Sequence, residues 1–342
     1  MVAEVNGSMN SRRRSFYILL VVMLLLLTAT RTAAITIKVA SLVPEGSPWH
    51  RALLKIAAQW RELSDGRVSV KIYPGGVAGD ETDAIRKMRI NQIQAAMVTG
   101  KGLAYIHPDF YVYQLPFVAR NDAELDYLFF RLRPELEELL EKKGFTLLAF
   151  TKSGWLRFFA DREATSPEQM RRLRMFSLEG HSSIDQAMQA MGFQIVPLKA
   201  NDVFAALQAG MVEAFAAAPL VAASMQWFAL APNMNNFYWT PLTGALIMTD
   251  RAWSMIPSTL HPQLLSSAET VMEDLYAEAM EVERQAIGIM KENGLVIHSI
   301  SKDGLKKWRE IVDLGFSILI GDTISAEIYR KAMAILEEYR NR

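Results

Sequence analysis

The sequence contains no cysteine in 342 residues. This absence excludes disulfide bonds, thiolate metal sites, cysteine nucleophiles and lipid attachment through an N-terminal cysteine. A chain without disulfides has to be stabilised by ordinary hydrophobic cores, and about 300 residues are enough to build two of them.

The sequence also has no excess of charge, because 37 lysine and arginine residues balance 37 aspartate and glutamate residues. No strong basic run follows the N-terminal region, so nucleic acid is not an expected partner. The histidines lie far apart, and none stands in a His-x-x-x-His or His-Glu-x-x-His spacing. Serine-nucleophile and Walker A motifs are missing too. We therefore expect no metal site, no cofactor and no enzymatic activity.

A long apolar run occurs at the N-terminus. Three arginines, Arg12–Arg14, precede the apolar residues 16–27, and the small residues Thr32, Ala33 and Ala34 follow. This order is typical of a secretory signal cleaved near Ala34, and it predicts a soluble periplasmic protein. An uncleaved anchor is the alternative, although the run is shorter than the roughly 20 residues of a membrane span.

The segment after the predicted signal alternates between strand and helix patterns. Residues 35–40, 68–73 and 93–98 read as strands, while residues 48–60 and 81–91 carry helical spacing. This βαβα order predicts an α/β lobe with a largely parallel sheet.

A second lobe is predicted to begin near Thr151. Residues 147–150 and 155–160 read as strands around a turn at Ser153–Gly154, and residues 242–249 read as a strand that returns to the first lobe. Two α/β lobes joined by crossing strands leave a cleft between them, where small ligands usually bind. The predicted domains are a signal over 1–34, lobe I over 35–150 plus 242–285, and lobe II over 151–241 plus 286–342.

Several short motifs follow one another in a fixed order. They are Ala95–Ala104, Pro108–Phe110, Tyr113–Phe117, Ser166–Met170, Gly192–Leu198 and Val203–Gly210. Their order and spacing resemble the substrate-binding proteins of tripartite ATP-independent periplasmic (TRAP) transporters, in the dicarboxylate-binding family. The resemblance covers nearly the whole chain after the signal.

The resemblance implies a two-lobe, type II venus-flytrap fold with a long helix bridging the lobes. It also implies delivery of a ligand to a membrane permease. The family usually binds a substrate carboxylate through an arginine in the strand after the Ser166–Met170 turn, since a guanidinium can hold a carboxylate with two hydrogen bonds.

This chain departs from the family pattern at that strand. Phe176 stands at the arginine position, and Arg174 lies two residues earlier. After Gly210, where the family has polar ligand contacts, the chain has Phe215, Ala216 and Ala217. Because burying an unpaired charge is costly, these residues indicate a hydrophobic ligand.

The same departures resemble a branch of the family that lacks the arginine and works with a tetratricopeptide-repeat partner protein. Further candidate ligand contacts, by position alone, are Trp155 at the lobe boundary, Tyr238 and Trp239 near the return crossing, and Trp49 after the first strand. Each of these aromatic residues is equally compatible with ordinary core or hinge packing.

Two other functions stay open. The same fold can bind an organic acid through Arg174, Arg172 or Arg157. An exported α/β enzyme is the third hypothesis, but no nucleophile with a base and an orienting group is visible.

Overall fold

The computed structural model describes residues 34–179, 182–199 and 202–342. The predicted secretory signal therefore lies, except for Ala34, outside the described residues. Among the helices that are described, none combines the length and the hydropathy needed to span a bilayer.

Strands and helices alternate along most of the chain. The strands are β1 (Ile35–Ser41), β2 (Val68–Tyr73), β3 (Ala95–Thr99), β4 (Phe145–Trp155), β5 (Arg157–Ala160), β6 (Arg174–Leu178), β7 (Gln194–Leu198), β8 (Ala214–Ala217), β9 (Asn233–Asn235), β10 (Pro241–Thr249) and β11 (Val296–His298). The first helices are α1 (Pro48–Leu63), α2 (Glu81–Arg89), α3 (Gly100–Ile106), α4 (Asp122–Glu141), α5 (Pro167–Met170) and α6 (Ser182–Ala190). The later ones are α7 (Val203–Gln208), α8 (Pro219–Ser224), α9 (Asp250–Met255), α10 (His261–Glu292), α11 (Lys302–Leu319) and α12 (Ala326–Arg340).

The first lobe is built on a five-stranded sheet with the order β2-β1-β3-β10-β4. Strand β1 pairs in parallel with β2 and β3, as the βαβα pattern predicts, while β10 runs antiparallel to β3 and β4. The core of this lobe includes the inward residues of β1, Ile37 and Val39, together with Trp60 of α1.

The second lobe is built on a six-stranded sheet with the order β11-β9-β5-β8-β6-β7. Strand β6 is parallel to β7 and β8, and β5 is antiparallel to β8 and β9. Two mixed sheets flanked by helices confirm the predicted α/β, two-lobe fold class.

The lobes are joined by two crossing segments and one long helix. Leu156 lies between β4 and β5, and residues 236–240 lie between β9 and β10. Two backbone hydrogen bonds connect these segments. The Leu156 N–H donates to the Thr240 carbonyl at 2.9 Å, and the Trp239 N–H donates to the Leu156 carbonyl at 2.9 Å. Helix α10 packs on β4 and α1 and also on α8, so it bridges the lobes.

The predicted turn at Ser153–Gly154 is wrong, since β4 continues through it to Trp155. The pairing with β10 shifts register there: Pro241 is opposite Trp155, whereas Thr243 is opposite Lys152. One extra residue on β4 makes this irregularity a β-bulge. Gly154, with φ of +97°, supplies the conformation that a bulge requires.

The last helix attaches to elements that precede β4. The Asp109 carboxylate accepts hydrogen bonds from the Ser325 N–H at 2.6 Å and from its hydroxyl at 2.9 Å. Arg340 donates to Glu124 of α4. The sequence assigns residues 286–342 to lobe II, whereas these bonds connect α12 to α4 and to Asp109, which fall within the predicted lobe I. The lobe boundaries stay predictions.

An aromatic cluster forms the core of the second lobe where α11 meets β5. Trp308 is fully buried, and its ring lies 5.0 Å from Phe158 and 5.0 Å from Phe237, measured between centroids. Its Nε1–H donates to the Thr165 carbonyl at 3.0 Å. This cluster fixes α11 against the sheet.

Replacing Trp308 by alanine should therefore lower the free energy of unfolding by about 3–5 kcal/mol, because it removes a large buried side chain and leaves a cavity. Urea denaturation followed by circular dichroism measures the change. Phe130→Ala is the control, since Phe130 is 75% exposed and should lose less than about 0.5 kcal/mol. Equal losses for the two variants would contradict this account of the core.

Candidate ligand-binding cleft

A cavity of about 400 Å³ lies between the lobes, beside the crossing segments. Its walls come from the 3₁₀ helix Pro108–Gln114 and the residues after it, from both crossings, and from β6, α6, β8 and α8 of the second lobe. The volume falls within the roughly 300–1,000 Å³ typical of small-molecule pockets.

The second-lobe wall is apolar. Helix α6 turns one face to the cavity with Ile184, Ala187, Met188 and, just past its end, Met191. This i, i+3, i+4, i+7 spacing places the side chains on one stripe of a helix. Methionine side chains are flexible and polarizable, so this wall can adapt to the shape of an apolar ligand.

Strand β6 supplies the centre of the same wall. Phe176 is half-buried and lines the cavity, and its ring meets Trp227 edge-to-face with centroids 5.6 Å apart. Ser177 also lines the cavity, and its hydroxyl donates a hydrogen bond to Asp185. The arrangement presents an aromatic surface with a single hydroxyl beside it.

The first-lobe wall is more polar. Tyr111 and Gln114 of the 3₁₀ helix line the cavity, followed by Leu115 and Pro116. The Gln114 side-chain amide donates to the Thr243 hydroxyl at 3.2 Å and approaches its carbonyl at 3.4 Å. These bonds anchor the Gln114 side chain to β10.

No charged side chain is among the cavity-lining residues within the described part of the chain. Arg174 is exposed and donates to Glu213 at 3.2 Å and to the Gly210 carbonyl at 2.7 Å. The backbone N–H and the guanidinium of Arg174 hold the pKa of Glu213 below its usual value. Arg174, the arginine nearest to Phe176 in the sequence, is thus engaged in an ion pair and does not line the cavity.

The comparisons with known proteins decide the family. Residues 39–314 match the family of bacterial extracellular solute-binding proteins, family 7, also called DctP. The chain belongs to this family. Its members are extracytoplasmic binding components of transport systems, and TRAP solute-binding proteins deliver their ligand to membrane permease subunits.

Two relatives show how far the sequence similarity extends. The chain is 22% identical over 289 residues to the C4-dicarboxylate-binding periplasmic protein DctP of Rhodobacter capsulatus, covering 81% of this chain and 84% of the relative. A solute-binding protein of Roseobacter denitrificans is 25% identical over 181 residues. That match covers 52% of this chain and 55% of the relative, which is about half of each.

Solved structures share the fold. A TRAP periplasmic solute-binding protein of Rhodobacter sphaeroides, in an open apo form, gives a TM-score of 0.80 at 21% identity and covers 89% of this chain and 99% of that one. Another, from Sulfurospirillum deleyianum with bound succinate, gives 0.72 at 20% identity and covers 88% and 99%. At these identities the likeness establishes the two-lobe architecture.

The residues singled out in the sequence fall at three places in this DctP-family fold. Phe176, Ala216, Ala217 and Trp239 line the cavity. Phe215 lies outside the lining and is fully buried, with its ring stacked on Phe159 at 4.9 Å. Because successive strand residues point to opposite faces, Ala216 projects from the face of β8 opposite to Phe215.

The other aromatic candidates pack elsewhere. Trp155 stacks on Tyr238 with centroids 4.9 Å apart and donates its Nε1–H to Asp122 at 3.0 Å, so this pair joins the two crossings. Trp49 is half-buried against the core of the first lobe. Their assignment as ligand contacts stays a prediction.

Sequence reasoning missed the α6 stripe and the pair Tyr111 and Gln114. The spacing of Ile184, Ala187 and Met188 signals a helix face, but core and cleft faces carry the same spacing. Gln114 lies within the motif Tyr113–Phe117 used for the resemblance and Tyr111 lies just before it, and no local pattern distinguishes their role.

A second group of charges lies where α10 passes the crossings. Glu283 is 5% exposed, and burial raises the pKa of its carboxyl. The guanidinium of Arg157 lies over the Tyr238 ring, 5.1 Å from its centroid. The Arg157 Nε and the Glu283 Oε2 are buried and have no hydrogen-bond partner among the described residues.

The raised pKa of Glu283 predicts how stability depends on pH. The folded protein binds this proton more tightly than the unfolded chain, so the contribution is full below the ordinary pKa of 4.5 and is lost as pH rises through the raised value. Glutamine does not ionise, so Glu283→Gln removes this loss of stability at higher pH. Its free energy of unfolding should therefore rise relative to the unmodified protein between about pH 4 and pH 8.

Urea denaturation at the two pH values measures this difference. Glu273→Gln, on an exposed position of the same helix, is the matched control and should follow the unmodified protein. A Glu283→Gln variant with an unchanged pH dependence would show that the buried carboxyl does not titrate differently on folding.

Proposed function

We propose that this solute-binding protein captures a small, largely apolar ligand outside the cytoplasm and delivers it to a TRAP-type permease. The observation that carries the proposal is the chemistry of the cavity wall: aliphatic, methionine and aromatic side chains dominate it, and none of the described lining residues is charged.

Transfer energies favour an apolar ligand in such a site. Each Å² of apolar surface removed from water contributes roughly 25 cal/mol, so a ligand burying about 300 Å² gains on the order of 7 kcal/mol before the cost of association. A carboxylate placed against the same wall loses its hydration without gaining a partner, which costs several kcal/mol.

Organic-acid binding is the second candidate, since structural neighbours such as the Sulfurospirillum deleyianum protein hold succinate. Of the three arginines that could serve, Arg174 is paired with Glu213 and Arg172 is exposed. Arg157 is half-buried, follows the lining residue Leu156, and has a buried Nε without a partner among the described residues. It is therefore the arginine best placed to meet a carboxylate.

The first experiment is to purify the protein from Ile35 onward under mild conditions and to identify any co-purifying molecule by denaturing extraction and mass spectrometry. A stoichiometric apolar compound is the expected result. An organic acid, released on Arg157→Gln substitution, would replace the proposal with the second candidate.

Phe176 should be a direct ligand contact. Phe176→Ala removes an aromatic surface from the cavity wall, so the affinity for the uncharged fluorescent probe N-phenylnaphthylamine should fall about tenfold, measured by fluorescence titration. Phe176→Arg should abolish probe binding, because it places a cation in an uncharged wall.

Two variants serve as controls for Phe176. Phe204→Ala makes the same substitution at an exposed position of α7 outside the lining, and Arg174→Ala removes the cation of the ion pair with Glu213. Both should bind the probe as the unmodified protein does. Lost binding in Arg174→Ala with retained binding in Phe176→Ala would refute the assigned roles.

A tetratricopeptide-repeat protein is the proposed periplasmic partner. The support is Phe176, which stands where the resemblance implies an arginine, together with an exposed apolar rim: Leu178 and Val221 line the cavity and are 45% and 41% exposed. Apolar ligands are poorly soluble in water, so transfer by direct contact between proteins is favoured over release.

Transfer of bound N-phenylnaphthylamine to a purified tetratricopeptide-repeat protein from the same cell tests this partner. Stopped-flow fluorescence should show a transfer rate that depends on partner concentration, and Leu178→Glu should slow it. A rate independent of the partner would indicate release into water and exclude contact transfer.

A further inference from the structure

We infer that the apolar ligand carries one uncharged hydrogen-bonding group, an alcohol or an amide, which lies against Tyr111 and Gln114 while its hydrocarbon body lies against the second lobe. The inference rests on the proposed apolar ligand and specifies its polar end.

The hydrogen-bonding side chains of the cavity are unevenly distributed. Tyr111 and Gln114 come from the first lobe, and Thr240 comes from the crossing beside them. On the methionine-rich opposite wall, the Ser177 hydroxyl donates to Asp185, and the buried Trp227 Nε1–H, which can only donate, has no partner among the described residues. Tyr111 and Gln114 together offer both a donor and an acceptor to one ligand group, so a ligand whose polar end uses both fits in one orientation.

The polar end has both an available donor and an available acceptor. The Gln114 amide nitrogen is used by Thr243, while its Oε1 accepts no hydrogen bond from the described residues. The Tyr111 hydroxyl likewise has no partner within the part of the chain that the structure describes. Burial raises the pKa of Tyr111, so the hydroxyl stays protonated and can donate. An alcohol or amide can use both groups at once.

The surrounding charges disfavour an anionic group. The Glu81 carboxylate accepts from the Thr99 N–H at 2.6 Å and from its hydroxyl at 2.8 Å, and it contributes to the raised pKa of Tyr111. Asp185 lies behind Ser177. With these carboxylates nearby and no lining cation among the described residues, the first-lobe end disfavours a carboxylate. Arg157 follows Leu156 on the crossing but is not a lining residue, and its guanidinium lies over the Tyr238 ring. An ammonium group would lose its hydration without a carboxylate in the wall.

A series of probes with one hydrocarbon chain and different polar ends tests the inference. Decanol, decanamide, decanoate and decylammonium are each titrated as competitors of bound N-phenylnaphthylamine. Decanol and decanamide should bind at least about tenfold more tightly than the charged probes, as expected for burial of an unpaired charge.

Two variants locate the polar end. Tyr111→Phe removes only the hydroxyl, and Gln114→Leu replaces the amide by an apolar side chain of similar length. Each should lower the affinity for decanol and decanamide about tenfold more than it lowers the affinity for N-phenylnaphthylamine, whose binding depends mainly on apolar contacts. Retained probe binding also shows that the variant is folded.

The outcomes separate the inference from the proposed function. Equal affinities for all four end groups, or tightest binding of decanoate, would overturn the uncharged polar end while leaving an apolar site in place. Failure of the decyl compounds and of N-phenylnaphthylamine to bind, together with tight succinate binding, would overturn the proposed function itself. Loss of decanol binding on Met188→Ala but not on Tyr111→Phe would overturn the orientation.

Discussion

The two backbone hydrogen bonds between Leu156 and the segment Trp239–Thr240 are the constraint on which the cleft depends. They tie together the two extended segments that cross between the sheets, so the lobes meet along a short line and leave open space on one side. The stacked pair Trp155 and Tyr238 covers that line. Residues on both crossings, Leu156 and Trp239, then become part of the cavity wall.

The position of the cavity follows from topology, whereas its chemistry follows from single side chains. A DctP-family fold places β6 and β8 beside the crossings whatever their sequence. In this chain Phe176 and Ala216 stand on those strands and face the cavity. Arg174 lies on β6 as well, but Glu213 and the Gly210 carbonyl hold its guanidinium outside. A few side chains on this backbone therefore decide whether the wall carries a charge.

The sequence predicts the α/β two-lobe fold, because strand alternation and motif order are local signals. Four of the residues that it suggests as ligand contacts, Phe176, Ala216, Ala217 and Trp239, line the cavity, and their role in binding stays a prediction. The sequence predicts a turn at Gly154 where the structure has a bulge, since a glycine after a polar residue marks both. It groups Phe215 with Ala216 as ligand contacts, although neighbours on a strand point to opposite faces, and the sequence does not say which face borders the cleft. Tyr111 and Gln114 required the tertiary structure.

The cavity wall is uncharged among the described residues, whereas charged groups are buried where the crossings meet α10, and this difference bears on which ligand the cavity binds. Where the crossings meet α10, the Arg157 Nε and the Glu283 Oε2 are buried without a hydrogen-bond partner among the described residues, which is costly. In the cavity, uncharged groups replace such charges. A carboxylate ligand would need Arg157 as its partner, whereas an uncharged ligand needs no charged group in the wall.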